Sequence, residues 1–340
     1  MARRAGPSES RGPMRAPALR PITQTLADLA IGDPASAGNL WVFPLLARHD
    51  REPAYLTLDQ ALAKGFVRVT EVSEAGSVPT LLVKNAGPQP VLILDGEELV
   101  GAKQNRIVNL TILVPAATTL TIPVSCVEAG RWAARSRAFA PAGRAHYASG
   151  RAMKLKQVSV SLREDGARLA DQGAVWHDIS LKAARMDAPS ATSAASAMYD
   201  RLRAKLDEFE ERLRPVPGQV GAVFGVNGRV AGLDVFDCSA TWRASMRKLV
   251  QSYGLDALDV AASPHGDGRP DVGRFIEAVT ESSGETYAAL GLGTDVRFES
   301  GALRGAALVV DERVVHLVAF PVAGHAESGW PRRRHDPSVL

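Results

Sequence analysis

The run from Gly221 to Phe236 aligns without gaps to the run from Gly305 to Phe320, and this echo constrains the fold more than any other feature of the chain. Gly221/Gly305, Val226/Val310, Arg229/Arg313, Val230/Val314, Leu233/Leu317 and Phe236/Phe320 coincide. In each copy, β-branched and aromatic residues flank a two-residue centre, Asn227-Gly228 or Asp311-Glu312, which is the signal of a hairpin with a tight turn. Helix patterns at Ser239 to Tyr253 and Val272 to Glu281 predict two hairpins in one sheet, covered by helices. Duplication and the chance recurrence of a generic strand pattern both account for the likeness.

Upstream the chain is richer still in strands. Asn39 to Leu46 is an apolar run of strand type. Thr57 is placed to cap a short helix through Ala63, which Gly65 would end. Strands are expected at Phe66 to Val72, Thr80 to Val83 and Val91 to Glu97, and a hairpin from Arg106 to Val114 and Thr119 to Glu128 around Pro115-Ala-Ala-Thr118. A polar, Gly/Ala/Arg-rich connector from Ala133 to Gly150 then leads into helices. Met153 to Leu162 fits a strand or a helix, and its helical neighbours favour the helix. Val175, Trp176, Ile179, Ala183 and Met186 recur at helical spacing, and Thr192-Ser193 is placed to cap an amphipathic stretch that Pro215 stops.

The resulting expectation is an α+β protein: an N-terminal, mainly antiparallel β block over 34–132, a connector and helices over 133–215, and an α+β block with two hairpins over 216–322. Residues 1–21 and 325–340 carry too little apolar surface to offset the entropy of ordering, and are expected to be disordered tails.

A chain of 340 residues can bury a sizeable core. Its net charge of +3 is not gathered on one stripe, which argues against a polynucleotide partner and favours a phosphate-bearing small molecule. Two distant cysteines, Cys126 and Cys238, and the lack of any CxxC pair suit a reducing compartment, and no long apolar segment suggests a membrane span. Cytoplasmic localisation is expected.

The chemistry concentrates between Asp95 and Trp132. Strand alternation puts Val91, Ile93, Asp95 and Glu97 on one face, and Asn105, Ile107, Asn109 and Thr111 on another, with Gln104 and Arg106 leading into the opposite, apolar face. Glu97 and Glu98 are the candidate general acid or base. Lys103, Gln104, Asn105, Arg106, Asn109, Glu128, Arg131 and Trp132 are the candidate ligand-binding residues, offering cations for a pyrophosphate, amides for a base and an indole for stacking. Magnesium is a candidate cofactor, with Asp234 and Asp237 as candidate ligands. The plain alternatives are a solvated charged turn, and a helix cap for Asp237. Cys126 alternates with Ile122 and Val124 and reads as core rather than as a nucleophile. Trp176 reads as packing, and His316 as a core histidine.

Asp95-Gly-Glu-Glu-Leu-Val-Gly-Ala-Lys-Gln-Asn-Arg106, Asn109 and Ile122-Pro-Val-Ser-Cys-Val-Glu-Ala-Gly-Arg-Trp132 closely resemble the signature of the ARG and Rhodanese-Phosphatase-superfamily-associated domain family. Gln172-Gly-Ala-Val-Trp176, Gly232-Leu-Asp-Val-Phe-Asp237 and His316 resemble its later landmarks, so the likeness spans roughly Pro34 to Val322. The family's name implies association with ADP-ribosylglycohydrolases and rhodanese-phosphatase proteins, and hence a role in NAD- or ADP-ribose-linked metabolism. It assigns no reaction. Two functions follow: binding or processing of an ADP-ribose-like or other phosphorylated molecule at 95–132, or a non-catalytic sensing or protein-interaction module using the same surface.

Overall fold

The two hairpins form and lie side by side in one antiparallel sheet. The computed structural model describes residues 19–73, 76–133, 136–260 and 269–322. In chain order the first elements are helix α1 (Arg20–Ala27) and strands β1 (Leu29–Ile31), β2 (Ala35–Ala37) and β3 (Leu40–Ala47). Next come β4 (Leu56–Thr57), α2 (Leu58–Ala63), β5 (Val67–Glu71), β6 (Thr80–Asn85), β7 (Val91–Ile93), β8 (Glu97–Gly101), β9 (Arg106–Val108), β10 (Ile112–Val114), β11 (Thr118–Cys126) and β12 (Phe139–Ala145). Helices α3 (Ala148–Asp165), α4 (Gln172–Arg185), α5 (Ser196–Arg201) and α6 (Arg203–Arg212) lead to β13 (Gln219–Val226) and β14 (Arg229–Phe236). The chain continues through α7 (Ser239–Asp259), α8 (Val272–Thr280), β15 (Ser283–Ala288), β16 (Thr294–Glu299), β17 (Leu303–Val310) and β18 (Arg313–Pro321). The fold is α+β, as expected.

The large sheet runs β1-β3-β13-β14-β18-β17-β16-β15, with β2 added to β3. It has an internal two-fold. At its centre Leu233 pairs with Ala319, and the equivalent residues Val235 and Leu317 pair in turn, so the axis passes through Asp234 and Val318. Both hairpins carry a register shift at the same place, between Phe224 and Gly225 and between Leu308 and Val309. Both turns place their two central residues at positive φ, Asn227-Gly228 and Asp311-Glu312, as a type I′ turn requires.

The symmetry extends beyond the sequence echo. Phe43 lies against Val223 as Val296 lies against Ala307, and Ile31 pairs with Leu45 as Gly284 pairs with Phe298. Helix α1 precedes the first unit as α8 precedes the second, and their C-caps, Asp28 and Glu281, fall at matching positions. Leu19 and Leu26 are buried at the positions of Val272 and Val279. Each unit is therefore one helix followed by four core strands. In the second unit residues 300–302 join the middle strands, whereas in the first the link spans 48–218.

That link contains the second body. Strands β11-β6-β5-β12-β8-β9 close a barrel, and β10-β7-β4 form a small sheet beside it. Closure leaves no exposed edge along the barrel. Its interior holds Val67, Val69, Leu81, Val83, Leu99, Val108, Ile122, Val124 and Phe139. A separate core under one face of the large sheet joins Phe224, Phe236, Trp242 and Tyr253 to helices α3 to α7, and a third, under the other face, joins Val223, Leu233, Val235 and Leu317 to α1 and α8.

Several expectations are corrected. Leu40–Ala47 belongs to the large sheet and not to the β block, because its register partner is β13. Phe139–Ala145, inside the expected connector, is a strand that closes the barrel by pairing with both β5 and β8; among polar and small residues it shows no alternation. The expected strand Val91 to Glu97 turns after Ile93, and Arg106 to Val114 breaks into β9, facing β11, and β10, facing β7. Thr192 caps nothing: the helix starts at Ser196 with Ala195 as its N-cap, and is interrupted at Leu202. Thr57 does cap α2, in a reciprocal box with Gln60, and Met153 to Leu162 is helical within α3. The expected tails lie outside the described residues, except that residues 19–21 open α1.

Candidate functional site

Strand alternation decides where the polar signature goes. Val108 and Val124 point into the barrel, so their neighbours two residues along, Arg106 and Cys126, which pair across the β9–β11 ladder, point the same way at the barrel's end. Arg106 is fully buried. Its Nη1 donates to Gln104 Oε1 at 2.8 Å, while Nε and Nη2 have no acceptor among the described residues. Burial lowers its pKa from the usual guanidinium value, with Cys126 and Glu71 pulling the other way. Glu71, the last inward residue of β5, accepts Lys103 N–H through Oε1 at 3.4 Å, and among the described residues its Oε2 has no donor.

Trp132 lies over this mouth, 49 % exposed. Its ring centroid is 5.8 Å from the Arg106 guanidinium carbon and 5.2 Å from Lys103 Nζ, within cation–π range. Glu128 and Arg131 support the rim. Arg131 Nη2 donates to Glu128 Oε2 at 2.7 Å and to Asn105 Oδ1 at 3.1 Å, and Nη1 reaches the Ala102 carbonyl at 2.7 Å. Glu128 also accepts from Asn105 N–H at 3.2 Å and Thr192 Oγ1 at 2.9 Å. Burial alone would raise its pKa, but hydrogen bonds from Arg131, Thr192 and Asn105 hold it below the usual value. Cys126 is a buried free thiol whose pKa burial pushes up against the pull of Glu128 N–H and Arg106.

The structure thus brings together Lys103, Gln104, Asn105, Arg106, Glu128, Arg131 and Trp132, and leaves the other candidates elsewhere. Glu97 pairs with Lys248 of α7, which also holds Asp59 at 2.7 Å. Glu98 accepts from Arg144 of β12 at 2.6 Å. Both carboxylates are buried. Asn109, beyond the break in the strand, accepts from Ser125 at 2.7 Å and donates to the Arg168 carbonyl at 3.1 Å.

A second polar cluster lies where barrel and large sheet meet, and α3 supplies its cations. Arg151 and Lys154 continue the buried stripe of Leu155, Val158 and Leu162. Arg151 donates to Asp234 through Nη2 at 2.7 Å and Nη1 at 3.2 Å, and to Asp95 through Nε at 3.2 Å. Lys154 pairs with Asp95 and caps the Val108 and Asn109 carbonyls, both at 2.9 Å. Gly96 is required beside them: its φ is +76°, and a Cβ there would lie 2.8 Å from Arg151 Cγ. Asp234 also accepts from Tyr253 at 2.8 Å and lies 3.2 Å from His316 Nε2. Burial would raise its pKa, yet Arg151 and His316 hold it below the usual carboxylate range. Asp237 instead accepts from Tyr55, and the N-cap of α7 is Cys238. The two candidate metal ligands therefore serve separate partners, and among the described residues no group of three or more His, Cys, Asp or Glu is placed to hold a metal ion.

Sequence reasoning missed Glu71, Thr111, Arg151 and Lys154 as site residues. Glu71 is the charged end of an alternating Val67, Val69 face, and Arg151 and Lys154 fall on the apolar stripe of their helix. A charge in register with buried neighbours was the available signal in both cases.

A small closed barrel, docked through buried ion pairs on a helix-covered antiparallel sheet, defines the class of protein. The family model of the ARG and Rhodanese-Phosphatase-superfamily-associated Protein domain, ARPP-1, matches residues 28–320, and the chain belongs to that family. No curated protein and no solved structure matches it. Among the described residues no helix is long and apolar enough to cross a membrane.

Proposed function

We propose that the barrel mouth binds a phosphate-bearing small molecule of the ADP-ribose type. The observation that carries the reading is a pair of open valences: among the described residues the buried Nε and Nη2 of Arg106 have no acceptor, and Glu71 Oε2 has no donor. Native interiors leave few polar groups in this state, and each one costs about 1–3 kcal/mol. A phosphate on Arg106 and a ribose hydroxyl on Glu71 would satisfy both, with Trp132 beside them as a stacking face. Mouths of small barrels are common ligand sites. The family's association with ADP-ribosylglycohydrolases, as its name is read above, supports an ADP-ribose-type ligand, and an association with those proteins or with rhodanese-phosphatases belongs to the same proposal. The free, buried cysteines support a reducing, cytoplasmic setting.

Binding without turnover is the form we favour at this site. Glu97 and Glu98 are taken up by Lys248 and Arg144, and Glu128 by Arg131, Thr192 and Asn105. The test is thermal unfolding with ADP-ribose, NAD or inorganic phosphate, with and without magnesium, alongside chromatography for products. ADP-ribose at 100 times its Kd adds about 2.7 kcal/mol and raises Tm. Arg106→Gln should abolish the shift for every phosphate ligand, and Trp132→Ala should weaken ADP-ribose more than inorganic phosphate. If no phosphate ligand shifts Tm, the reading fails; product formation would replace sensing with catalysis.

A further inference from the structure

Thr111, the last residue of the break between β9 and β10, lies across the barrel–sheet junction from His316 of β18, with Thr111 Oγ1 2.7 Å from His316 Nδ1. The same hydroxyl oxygen accepts the Asp95 backbone N–H at 3.1 Å. That contact uses one of the oxygen's two lone pairs and leaves its proton free to go to Nδ1 when Nδ1 is the bare nitrogen of the ring. Asp234 Oδ1 faces Nε2 at 3.2 Å, and this carboxylate selects the neutral tautomer with its proton on Nε2, since the other would set a bare nitrogen against it. His316 and Asp234 are both fully buried, and the imidazole stacks on Phe236 at 4.7 Å, so the ring has one orientation. Hydroxyl, imidazole and carboxylate are thus linked in the order that a nucleophile, its base and the base's partner require.

The hydroxyl opens on a recess lined by Asp95, Asn109, Leu155, Arg297 and Val318 among others, about 310 Å³ out to its mouth. The centre of a water-sized sphere can occupy only about 10 Å³ of it, room for about one water. Arg297 is held by Asp295 through Nε and Nη2, at 2.8 and 2.9 Å, which leaves Nη1 outside that fork.

We propose that this recess is a catalytic site for acyl transfer, with Thr111 as nucleophile, His316 as general base, Asp234 as positioning residue, and a small ester carrying a formyl- or acetyl-sized group as substrate. Thr111 Oγ1 attacks the carbonyl carbon as its proton passes to His316 Nδ1, and Arg297 is the cation beside the developing oxyanion. The bond to the leaving alcohol breaks and the alcohol takes the proton from Nδ1. Water then attacks the Thr111 ester, returns a proton through His316 to Oγ1, and releases the carboxylic acid. With room for about one water-sized sphere, the recess admits only a very small acyl group. These residues are separate from the Arg106 mouth, so either site can fail without the other.

The full chain is incubated with p-nitrophenyl acetate, with nitrophenolate release followed by absorbance and the acetylated residue located by peptide mass mapping. The expected result is an acetyl group on Thr111 of the unaltered chain. Thr111→Ser should keep the reaction, Thr111→Val should lose it, and His316→Asn should slow it by about 100-fold or more, each with an unfolding midpoint measured to confirm folding. Acetylation confined to lysines, equal rates in Thr111→Val, or no acetylation of the unaltered chain would each overturn the proposal. Because the mapping uses the unaltered chain, it decides the matter even where a variant fails to fold.

Discussion

Replacing Arg151 by Met tests whether the buried network joins barrel to sheet. Arg151 makes three charge-assisted hydrogen bonds, two to Asp234 and one to Asp95, and its guanidinium lies 5.4 Å from the Phe320 ring. Met keeps much of the stem's packing, so the change isolates the charge. Asp95 retains Lys154, but Asp234 is left as a buried carboxylate with only Tyr253 and His316. Removing one partner of a buried pair costs about 3–5 kcal/mol, and that is the loss expected from urea unfolding at pH 7.

The pH dependence has a definite sign. In the unaltered chain Asp234 is held below the usual carboxylate range, so its contribution is present above the unfolded value, near 4, and is lost as pH falls through the folded one. In the variant the same carboxylate is buried without its main cation, its folded pKa rises above the unfolded value, and protonation relieves it. The deficit is therefore largest at neutral pH and shrinks as pH falls toward about 4. Adding Asp234→Asn to the variant should recover at least about 1 kcal/mol relative to the sum of the single changes. A loss below about 1 kcal/mol at pH 7, or a deficit that stays constant down to pH 4, would refute the network as the tie between the two bodies.

Two further outcomes test the two-fold sheet. A Cβ on Gly221 would lie 2.6 Å from the Asp234 carbonyl oxygen and 2.8 Å from Val235 Cα, and one on Gly305 2.1 Å from Phe298 Cζ and 2.7 Å from the Val318 carbonyl oxygen. Alanine at either should cost about 1–3 kcal/mol in urea unfolding, with Gly221 the harder to relieve because its two nearest contacts are backbone atoms; free tolerance at both would contradict the register. Glu312 sits at φ +60° in the second hairpin turn, where the first hairpin has Gly228. Left-handed backbone costs a non-glycine residue about 1–2 kcal/mol, so Glu312→Gly should raise Tm even after glycine's entropic cost; an unchanged or lower Tm would count against the turn type.

Much of the fold was legible because it repeats with a short period. Hairpins announced by Asn227-Gly228 and Asp311-Glu312, the Thr57 cap and the helical stripe of α3 are local signals, and each appears in the structure. Strand β12 was hidden because it pairs on both sides within the barrel, where closure rather than its own Phe-Ala-Pro-Ala-Gly-Arg-Ala sequence supplies the partners. Of the candidate site, the group from Lys103 to Trp132 came together because its members are sequence neighbours around one β9–β11 pairing. Glu97, Glu98 and Asn109 were drawn away by partners far along the chain, Lys248, Arg144 and Arg168, and such long-range pairs leave no trace in periodicity.

The two-fold also locates the departures from it. If packing alone governed the large sheet, equivalent positions on the face shared with α3 to α7 would carry similar apolar residues. Four do not. Asp234 stands where the second unit has Val318, His316 where the first has Gly232, and Asp295 and Arg297 where the first has Val42 and Pro44. All four are nearly inaccessible to solvent, and burying charge carries a desolvation cost that apolar residues at these positions would avoid. The polar substitutions come from different units, yet Asp234 and His316 touch, and Asp295, Arg297 and His316 line the recess that also holds Asp95 and Thr111 of the inserted body. A chain formed by tandem repetition and then interrupted between β3 and β13 would be free to differ in this way only where the insertion docks. The asymmetry coincides with that contact, which is why the junction, and not the repeated sheet itself, is the place to look for chemistry.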